Sequence, residues 1–147
     1  MSEYLPPKID WVRKHVEAYE GSGGTKATTL RDTGMPCIIV THKGGKTGAV
    51  RKIPLMRVKV DQRYVLIGSM GGQPKNPVWV YNLRAHPDVE IRDATEVTAM
   101  VVREVFDADE RAALWQASAA AFPPYNDYQA KTDRVIPMFV AEPATGA

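Results

Sequence analysis

The sequence predicts an α+β fold, an antiparallel, barrel-like sheet of about six strands accompanied by three helices. The apolar runs are short enough to be strands, and most of them are separated by turn-type residues rather than by helices. The chain also lacks a G-x-G-x-x-G motif and shows no regular alternation of strand and helix. A doubly wound nucleotide-binding sheet is therefore not supported.

Length and composition describe one ordinary globular domain. The chain has 147 residues, 44% of them hydrophobic and 24% charged, and its net charge of +2 is too small to indicate nucleic-acid binding. Its single cysteine, Cys37, lies in an apolar run, which excludes an internal disulfide and favours a packed core thiol. His15, His42 and His86 lack the spacing of metal ligands, so no metal site is expected. We expect a cytoplasmic protein with no integral membrane segment, while peripheral membrane contact through residues 1–24 stays open.

The first predicted element is an amphipathic helix. Its apolar face is formed by residues at helical spacing, namely Ile9, Val12, Val16 and Tyr19. The small residues 21–24 end it, which divides the chain into an arm of residues 1–24, a domain of residues 25–143 and a fraying tail of residues 144–147. Two alternatives remain for the arm. It is a lid hinged at residues 22–24, or it packs on the domain.

The next elements are strands joined by turns. The apolar run 37–40 predicts a buried strand, and the alternation over residues 50–60 predicts a second one. Residues 61–63 form the predicted hairpin turn into a strand over residues 64–67.

A second glycine-rich loop, residues 68–72, precedes a short helix. Asn76 is the predicted N-cap, with Pro77 at the first helical position, and Pro87 prevents the helix from continuing. A helix that starts behind a glycine loop offers free backbone N–H groups to an anion.

The last third of the chain predicts two strands, a helix and a final strand. The strands lie around residues 89–91 and over residues 97–105, and Asp107 is the predicted N-cap of the helix that follows. Prolines stop this helix, and residues 125–129 are expected to form a polar aromatic turn. A final strand over residues 135–140 contains a proline, so it is expected at an edge or at a bulge.

Residues 41–55 follow the first strand and run into the second, and positive charge is concentrated in and just beyond this stretch. No acidic residue occurs between Asp32 and Asp61, whereas six basic residues do: Lys43, Lys46, Arg51, Lys52, Arg57 and Lys59. A glycine-rich loop in such a field favours a small anionic ligand, although a solvated hairpin also explains the charges. Gly45-Lys46-Thr47 is not a P-loop, because Val40 stands where its first glycine is needed and no helix follows.

Three segments together resemble one known family. They read G-G-K-T-G-x-x-R-x-x-P-L at residues 44–55, G-S-M-G-G-x-x-K-N-P-x-W-x-x-N-L-x-A-H-P at 68–87 and F-P-P-Y-x-x-Y-Q-x-K-T-D-R-x-I-P at 122–137. In this order they resemble the deazaflavin-dependent nitroreductase family, actinobacterial reductases that use coenzyme F420. The resemblance implies a split β-barrel of the flavin-reductase-like type.

The resemblance also implies where the cofactor is held. The positions carried over are Gly45, Lys46, Thr47, Arg51, Lys52, Ile53, Pro54, Leu55, Met56, Ile67, Gly68, Ser69, Met70, Val78, Trp79, Val80, Tyr81 and Asn82. The basic ones are expected to meet the phosphate and oligoglutamate tail of F420. Ser69 is the expected donor on the cofactor side, and Tyr125 and Tyr128 are the expected wall and donors on the substrate side. Gly45 stands where many relatives carry a basic side chain and Met56 where some carry an aromatic one, which implies a looser grip and a different ring pocket.

The implied reaction is hydride transfer from reduced F420 to an electron-poor small molecule, such as an activated alkene or enone, a quinone or a nitroaromatic. Two alternatives use the same residues. One is an F420-binding carrier without turnover, and the other, which the resemblance favours less, is an oxidoreductase of the same superfamily that uses flavin mononucleotide (FMN). Nucleic-acid binding is disfavoured because the basic run lacks interleaved aromatic residues. We expect a monomer or a weak homo-oligomer.

Overall fold

The computed structural model describes residues 3–30, 33–72 and 74–144 of the chain. Within them the strands are β1 (Cys37–Lys43), β2 (Val50–Met56), β3 (Lys59–Val60), β4 (Arg63–Ile67), β5 (Asp88–Asp93), β6 (Glu96–Glu104) and β7 (Met138–Pro143). The α-helices are α1 (Asp10–Gly21), α2 (Val78–Ala85), α3 (Ala108–Ala121) and α4 (Pro124–Ala130), and a 3₁₀ turn spans Met70–Gly72. None of these helices combines the length and apolar character needed to cross a membrane. The predicted fraying tail lies outside the described residues except for Ala144.

The seven strands of the described chain form one antiparallel sheet in the order β2-β1-β5-β6-β7-β4-β3. Only Arg57 and Val58 separate β2 from β3 along the chain, yet these strands lie at opposite edges of the sheet. The sheet must therefore curl until its edges approach each other, which gives an open half-barrel. The predicted antiparallel α+β fold is confirmed, with seven strands and four α-helices in place of about six and three.

Both faces of the sheet are covered because side chains alternate along each strand. On β4, Tyr64 and Leu66 join the core under α2, whereas Val65 and Ile67 join the core under α3 and α4. On β1, Cys37 packs instead against α1. Past the end of β4, α2 and α4 contribute to the same groove, and the candidate site lies there.

The predicted strand over residues 50–60 is divided into β2 and β3. β2 pairs with β1, from Val50 opposite Lys43 to Met56 opposite Cys37. The Arg57 N–H then donates to the carbonyl of Pro36, and the chain passes into β3, which pairs with β4. The division follows from the topology, because the two halves pair with different strands at the two edges of the sheet.

Residues 125–129, predicted as a turn, belong to helix α4, so this prediction was wrong. The prolines do end α3, but Pro124 occupies the first turn of α4. Its missing N–H costs nothing at that position and its fixed φ suits a helix. A proline pair between two helices can therefore end one helix and begin the next.

The final strand is β7, shifted from the predicted residues 135–140, and it is central rather than an edge strand. It pairs with β6 on one side and with β4 on the other. Pro137 precedes it, and its carbonyl accepts a hydrogen bond from the Gly68 N–H at 2.9 Å. Because Pro137 lies outside the ladder, its missing N–H does not interrupt the pairing of a central strand.

One predicted helix cap is confirmed and one is wrong. The carboxylate of Asp107 accepts a hydrogen bond from the Glu110 N–H at 2.9 Å and caps α3. At α2 the N-cap is Pro77, and the helix begins at Val78. Asn76 Oδ1 instead accepts a hydrogen bond from Arg134 Nη1 at 2.8 Å. A long-range partner thus outcompetes the local cap.

Helix α1 packs closely on the sheet. Val16 and Tyr19 are buried, and the Tyr19 hydroxyl donates to the carbonyl of Cys37 at 3.0 Å and accepts from the Ala94 N–H at 2.8 Å. Gly24 lies so close to the turn between β5 and β6 that a Cβ on it would be 1.8 Å from the Ala94 oxygen. These contacts fit the packing alternative for residues 1–24. The hinge role of residues 22–24 stays a prediction.

Candidate active site

A groove with two connected lobes is lined by the N-terminal segment, β2, the loop after β4, and α2. We call the first the aromatic lobe, a cavity of about 560 Å³ lined by Trp11, Leu30, Thr33, Ile53, Pro54, Leu55, Met56, Ile67, Ser69, Met70, Pro77, Trp79, Phe122, Tyr125 and Tyr128. The second is the basic lobe, about 400 Å³, lined by Leu5, Pro7, Lys8, Ile9, Val12, His42, Arg51, Lys52, Ile53, Met70, Pro77, Val78, Trp79 and Asn82. Ile53, Met70, Pro77 and Trp79 line both lobes, so the groove is continuous.

The positive field of the basic lobe comes from side chains without acidic partners. Arg51 is half-buried and lines the lobe, and Lys46 is exposed on the neighbouring loop between β1 and β2. Neither side chain makes an ion pair or a hydrogen bond with any other described residue. Uncompensated cations beside a cavity favour an anionic ligand, since their charge is not neutralised within the protein.

Lys52 also lines the basic lobe, but its charge is already compensated. Its Nζ forms an ion pair with Glu20 of α1, and Arg92 Nε lies 2.6 Å from the other oxygen of the same carboxylate. Burial by itself would raise the pKa of Glu20, but the hydrogen bonds from Lys52 and Arg92 outweigh burial and lower the pKa. The charge of Lys52 is therefore neutralised within the protein and that of Arg51 is not, although the two residues are adjacent in sequence.

The glycine-rich loop between β1 and β2 is closed by its own hydrogen bonds. The Gly44 N–H donates to the carbonyl of Ala49 at 2.7 Å, and the Gly48 N–H donates to the carbonyl of Gly44 at 2.8 Å. The Gly45 N–H donates to Asn82 Oδ1 at 2.9 Å, which ties the loop to α2. Three backbone donors of this loop are thus used inside the protein. Contacts to an anion are left to Lys46 and Thr47.

Two buried side chains of the basic lobe carry unpartnered polar atoms. His42 and Asn82 are only 4% and 5% exposed, yet His42 Nδ1 and Asn82 Nδ2 have no hydrogen-bond partner among the described residues. Burial, followed by the charge of Arg51, lowers the pKa of His42 to about 4, so the imidazole is neutral near pH 7. Each unpartnered buried group costs about 1–3 kcal/mol, which favours a polar ligand group here.

Four residues that line the aromatic lobe carry hydroxyl groups, and the Thr33 hydroxyl donates to the carbonyl of Leu30. The other three are Ser69, Tyr125 and Tyr128, and none of their hydroxyls makes a hydrogen bond with another described residue. Tyr125 packs edge-on against Phe122 and Tyr128, with ring centroids 5.0 and 6.3 Å apart. Burial, followed by the neighbouring Tyr128, raises the pKa of Tyr125 above its ordinary value of 10.0. The phenol is therefore a fixed, protonated donor in apolar surroundings.

Most positions implied by the resemblance line the groove: Arg51, Lys52, Ile53, Pro54, Leu55, Met56, Ile67, Ser69, Met70, Val78, Trp79, Asn82, Tyr125 and Tyr128. Gly45, Lys46 and Thr47 lie beside the basic lobe on a loop tied to Asn82. The remaining three positions, Gly68, Val80 and Tyr81, do not line the groove.

Gly68, Val80 and Tyr81 have other surroundings. Val80 is fully buried, and a Cβ on Gly68 would lie 2.8 Å from Val80 Cγ2. This pair therefore lets α2 approach the end of β4. The Tyr81 side chain is 52% exposed, and its ring centroid lies 5.7 Å from the Arg84 guanidinium. Tyr81 points away from the groove lining.

The motifs did not indicate the wall supplied by the N-terminal segment. Leu5, Ile9 and Val12 line the basic lobe, and Trp11 lines the aromatic lobe. Ile9 and Val12 belong to the predicted apolar face of the helix, but no local signal says which surface that face covers. From its sequence context, His42 was considered only as a metal ligand. Because His42 lies two residues after the apolar Val40 on β1, both side chains are on one face of the strand, and this was the available signal that His42 is buried.

The groove fits a ligand that is anionic at one end and flat and apolar at the other. Free cations and two unpartnered buried polar groups lie at the basic lobe. Apolar walls line the aromatic lobe, together with three residues whose hydroxyls have no partner among the described residues. F420 has this chemistry, since its phosphate and oligoglutamate tail is attached to a deazaflavin ring. The donor set and the shape of the groove therefore agree with the cofactor that the resemblance implies.

Comparison with known proteins identifies the family. Residues 11–143 match the family model for F420H(2)-dependent quinone reductase. A relative, the F420H(2)-dependent quinone reductase Rv1261c of Mycobacterium tuberculosis (strain ATCC 25618 / H37Rv), is 32% identical over 135 residues, which cover 90% of this chain and 89% of the relative.

Two solved structures are similar in both sequence and fold. One, described as an F420-H2 dependent reductase (FDR-A), is 41% identical with a TM-score of 0.69, over 73% of this chain and 94% of that chain. Another, described as a domain-swapped dimer, is 39% identical with a TM-score of 0.71, over 90% of this chain and 98% of that one. The heme storage protein HutZ of Vibrio cholerae, 14% identical with a TM-score of 0.58 over 75% of this chain and 82% of its own, shares the fold. The curled antiparallel sheet and the groove motifs thus have one explanation: the chain belongs to the F420H(2)-dependent quinone reductase family and is an F420-dependent reductase.

Proposed function

We propose that this chain transfers a hydride from reduced F420 to an electron-poor acceptor, with quinones, activated alkenes or enones, and nitroaromatics as the acceptor classes. One observation carries the proposal: the hydroxyls of Ser69, Tyr125 and Tyr128 are unbonded within an apolar lobe that is continuous with a lobe bearing uncompensated cations. A carrier needs only the second lobe. Donors facing an apolar space beside it favour chemistry on a second molecule.

The basic lobe would hold the anionic part of the cofactor. Arg51 and Lys46 supply charge, and Asn82 Nδ2 supplies a donor that has no partner inside the protein. Apolar side chains shared by both lobes, Ile53 and Trp79, would flank the cofactor where the lobes join. When bound and reduced, the cofactor supplies the hydride. The protein supplies position and electrostatics.

The aromatic lobe would hold the acceptor. An acceptor that gains a hydride develops negative charge on its carbonyl, quinone or nitro oxygen, and a fixed donor stabilises that charge. We assign Tyr125 as this donor and Tyr128 as mainly a wall, and we assign Ser69 to the cofactor side. One proton from Tyr125 or from water completes the two-electron reduction. When Tyr125 gives the proton, solvent reprotonates its phenolate; when water gives it, hydroxide leaves to solvent and Tyr125 stays protonated.

A binding titration that compares F420 with FMN tests the class of protein. We expect F420 to bind more tightly, and reduced F420 to be oxidised in steady state when menadione is added. Binding of F420 without turnover would support the carrier alternative. Tighter binding of FMN, with a yellow protein as purified, would support the flavin alternative. Either outcome overturns the proposal.

The assembly state and cellular location belong to the same proposal. We propose a monomer or weak homo-oligomer that acts on small molecules in the cytoplasm, with residues 1–24 available for peripheral membrane contact. The structural relative described as a domain-swapped dimer supports testing self-association first. Light scattering over a range of protein concentrations gives the assembly state, and sedimentation with anionic lipid vesicles tests the membrane contact.

A further inference from the structure

Arg134 lies in the connection between α4 and β7, and its guanidinium reaches the loop that follows β4. Nη1 donates to the carbonyl of Gly68 at 3.1 Å and to Asn76 Oδ1 at 2.8 Å. Nη2 donates to the carbonyl of Ser69 at 2.6 Å. One planar side chain thus holds two consecutive peptide carbonyls of the groove loop and the residue that leads into α2.

The segment that carries Arg134 is itself fixed on α4. Gln129 Nε2 donates to the carbonyl of Arg134 at 2.8 Å, and Gln129 Oε1 accepts from the Ile136 N–H at 3.1 Å. The Arg134 N–H lies 3.3 Å from Thr132 Oγ1. Because backbone on both sides of Arg134 is held, the guanidinium has little freedom to leave the loop.

The direction of the two carbonyls decides the direction of the next two N–H groups. In a trans peptide the C=O and the following N–H point in opposite directions. Since the carbonyls of Gly68 and Ser69 point at Arg134, the N–H groups of Ser69 and Met70 point away from it. Ser69 and Met70 line the groove, whereas Arg134 does not. Neither N–H donates to another described residue.

The loop does not hold this conformation by local preference. Met70 has a φ of 47°, in the left-handed region that is unfavourable for a side chain other than glycine, asparagine or aspartate. A hydrogen bond to a peptide carbonyl also polarises that peptide and strengthens its N–H as a donor. Arg134 is therefore placed both to keep the strained loop and to strengthen two donors that face the groove.

We infer that Arg134 is a positioning residue, which aims the Ser69 and Met70 N–H groups as a donor pair at a carbonyl-type oxygen of the bound cofactor. This inference rests on the proposed function. It assigns a role to the lysine-threonine-aspartate-arginine stretch of the third motif, which neither the cofactor positions nor the acceptor positions explain.

The test uses the full chain with F420 as the probe. Arg134→Lys keeps the charge but removes the planar fork, and we expect the F420 dissociation constant to rise about tenfold. Arg103→Lys is the matched control, because Arg103 also makes several hydrogen bonds, to Glu110 and Glu142, but does not line the groove. We expect its affinity to stay within about twofold of wild type. Equal affinity in Arg134→Lys and wild type would overturn the inference.

A second measurement distinguishes a positioning role of Arg134 from an effect on stability. Its wild-type part can be carried out even if the Arg134 variants fail to fold. In ¹⁵N-labelled wild-type protein, F420 should shift the Ser69 and Met70 amide proton resonances downfield, as new hydrogen bonds do. In Arg134→Ala these shifts should shrink and return on adding guanidinium well below its denaturing concentration. Saturation with F420 that leaves both wild-type amides unmoved overturns this inference alone. Failure of wild type to bind F420 removes the proposed function and this inference together.

Discussion

The two lobes of the groove carry their polar groups in different states. In the basic lobe, some charges are partnered within the protein and others are not: Lys52 is paired with Glu20, whereas Arg51 makes no ion pair with any described residue. In the aromatic lobe, the hydroxyls of Tyr125 and Tyr128 have no partner among the described residues. An unpaired positive charge suits binding of an anion that stays charged, whereas neutral hydroxyl donors suit a molecule that arrives, changes charge and leaves.

The largest expected effect is at Tyr125. If its phenol stabilises the developing charge, Tyr125→Phe should raise the activation free energy by ~2.7–4 kcal/mol and so lower turnover. The affinity for F420 should change little. Tyr128→Phe should be nearly silent, and Tyr128→Ala should raise the acceptor's Michaelis constant. Steady-state kinetics with one quinone and one enone check this. Wild-type kinetics in the Phe and Ala variants at both positions would remove the tyrosines from the site.

The pH dependence sharpens the same assignment. Burial raises the pKa of Tyr125 above its ordinary value of 10.0, so the phenol is protonated across the neutral range and beyond it. Below pH 10.0, deprotonation of Tyr125 should therefore not reduce turnover, and wild type and Tyr125→Phe should show the same pH dependence. A basic limb near neutral pH that is present in wild type and absent from Tyr125→Phe would contradict the environment described for this residue.

The next effect concerns the unpaired cations in and beside the basic lobe, Arg51 and Lys46. Arg51→Ala and Lys46→Ala should each weaken F420 binding by about 1–3 kcal/mol and flatten its salt dependence. Lys52→Ala is the matched control, and we expect a smaller loss of affinity because Glu20 already neutralises Lys52. Fluorescence titration of F420 at several salt concentrations measures all three. Loss at Lys52 as large as at Arg51 would show that the Glu20 pair opens on binding.

An effect of similar size, mainly on stability, is expected when Glu20 is made neutral. Glu20→Gln removes the shared partner of Lys52 and Arg92, which should lower the free energy of unfolding by about 1–3 kcal/mol, while F420 binding becomes tighter and more salt-dependent. Because the folded pKa of Glu20 is below its ordinary 4.5, its stabilising contribution is present above pH 4.5 and is lost as the pH falls through the folded pKa. Denaturant titrations at neutral and acidic pH check both points. If Glu20→Gln lost as much stability as wild type on acidification, the ion pairs of Glu20 with Lys52 and Arg92 would not make this contribution.

The smallest effect is predicted for the start of the chain. Deleting residues 1–9 removes lining of the basic lobe but keeps α1, whose Tyr19 belongs to the core. We expect F420 affinity to change by no more than a fewfold and the acceptor preference to change more, if this segment modulates access. Complete loss of F420 binding in a folded truncation would show instead that the segment is part of the cofactor site.

The basic lobe could be predicted in large part because its cations come from one hairpin. Lys46 and Arg51 are five residues apart, and the surrounding glycines and lack of acidic residues are visible in the sequence. The aromatic lobe could be placed only through the family resemblance, since Ser69, Trp79 and Tyr125 come from separate segments. Spacing alone did not distinguish a surface turn at Tyr125 and Tyr128 from helix α4.

Local sequence determined the antiparallel strands and helix α1 through periodicity, the Asp107 cap through a capping pattern, and the positive field through composition. Each of these depends on residues that are near one another in the chain. The tertiary structure alone decided which charges remain free. Glu20 neutralises Lys52 across 32 residues, and Arg134 takes Asn76 from its helix cap across 58 residues. Hydrogen bonds and ion pairs require closely apposed atoms, and distances in sequence carry no information about such contacts until the sheet has curled.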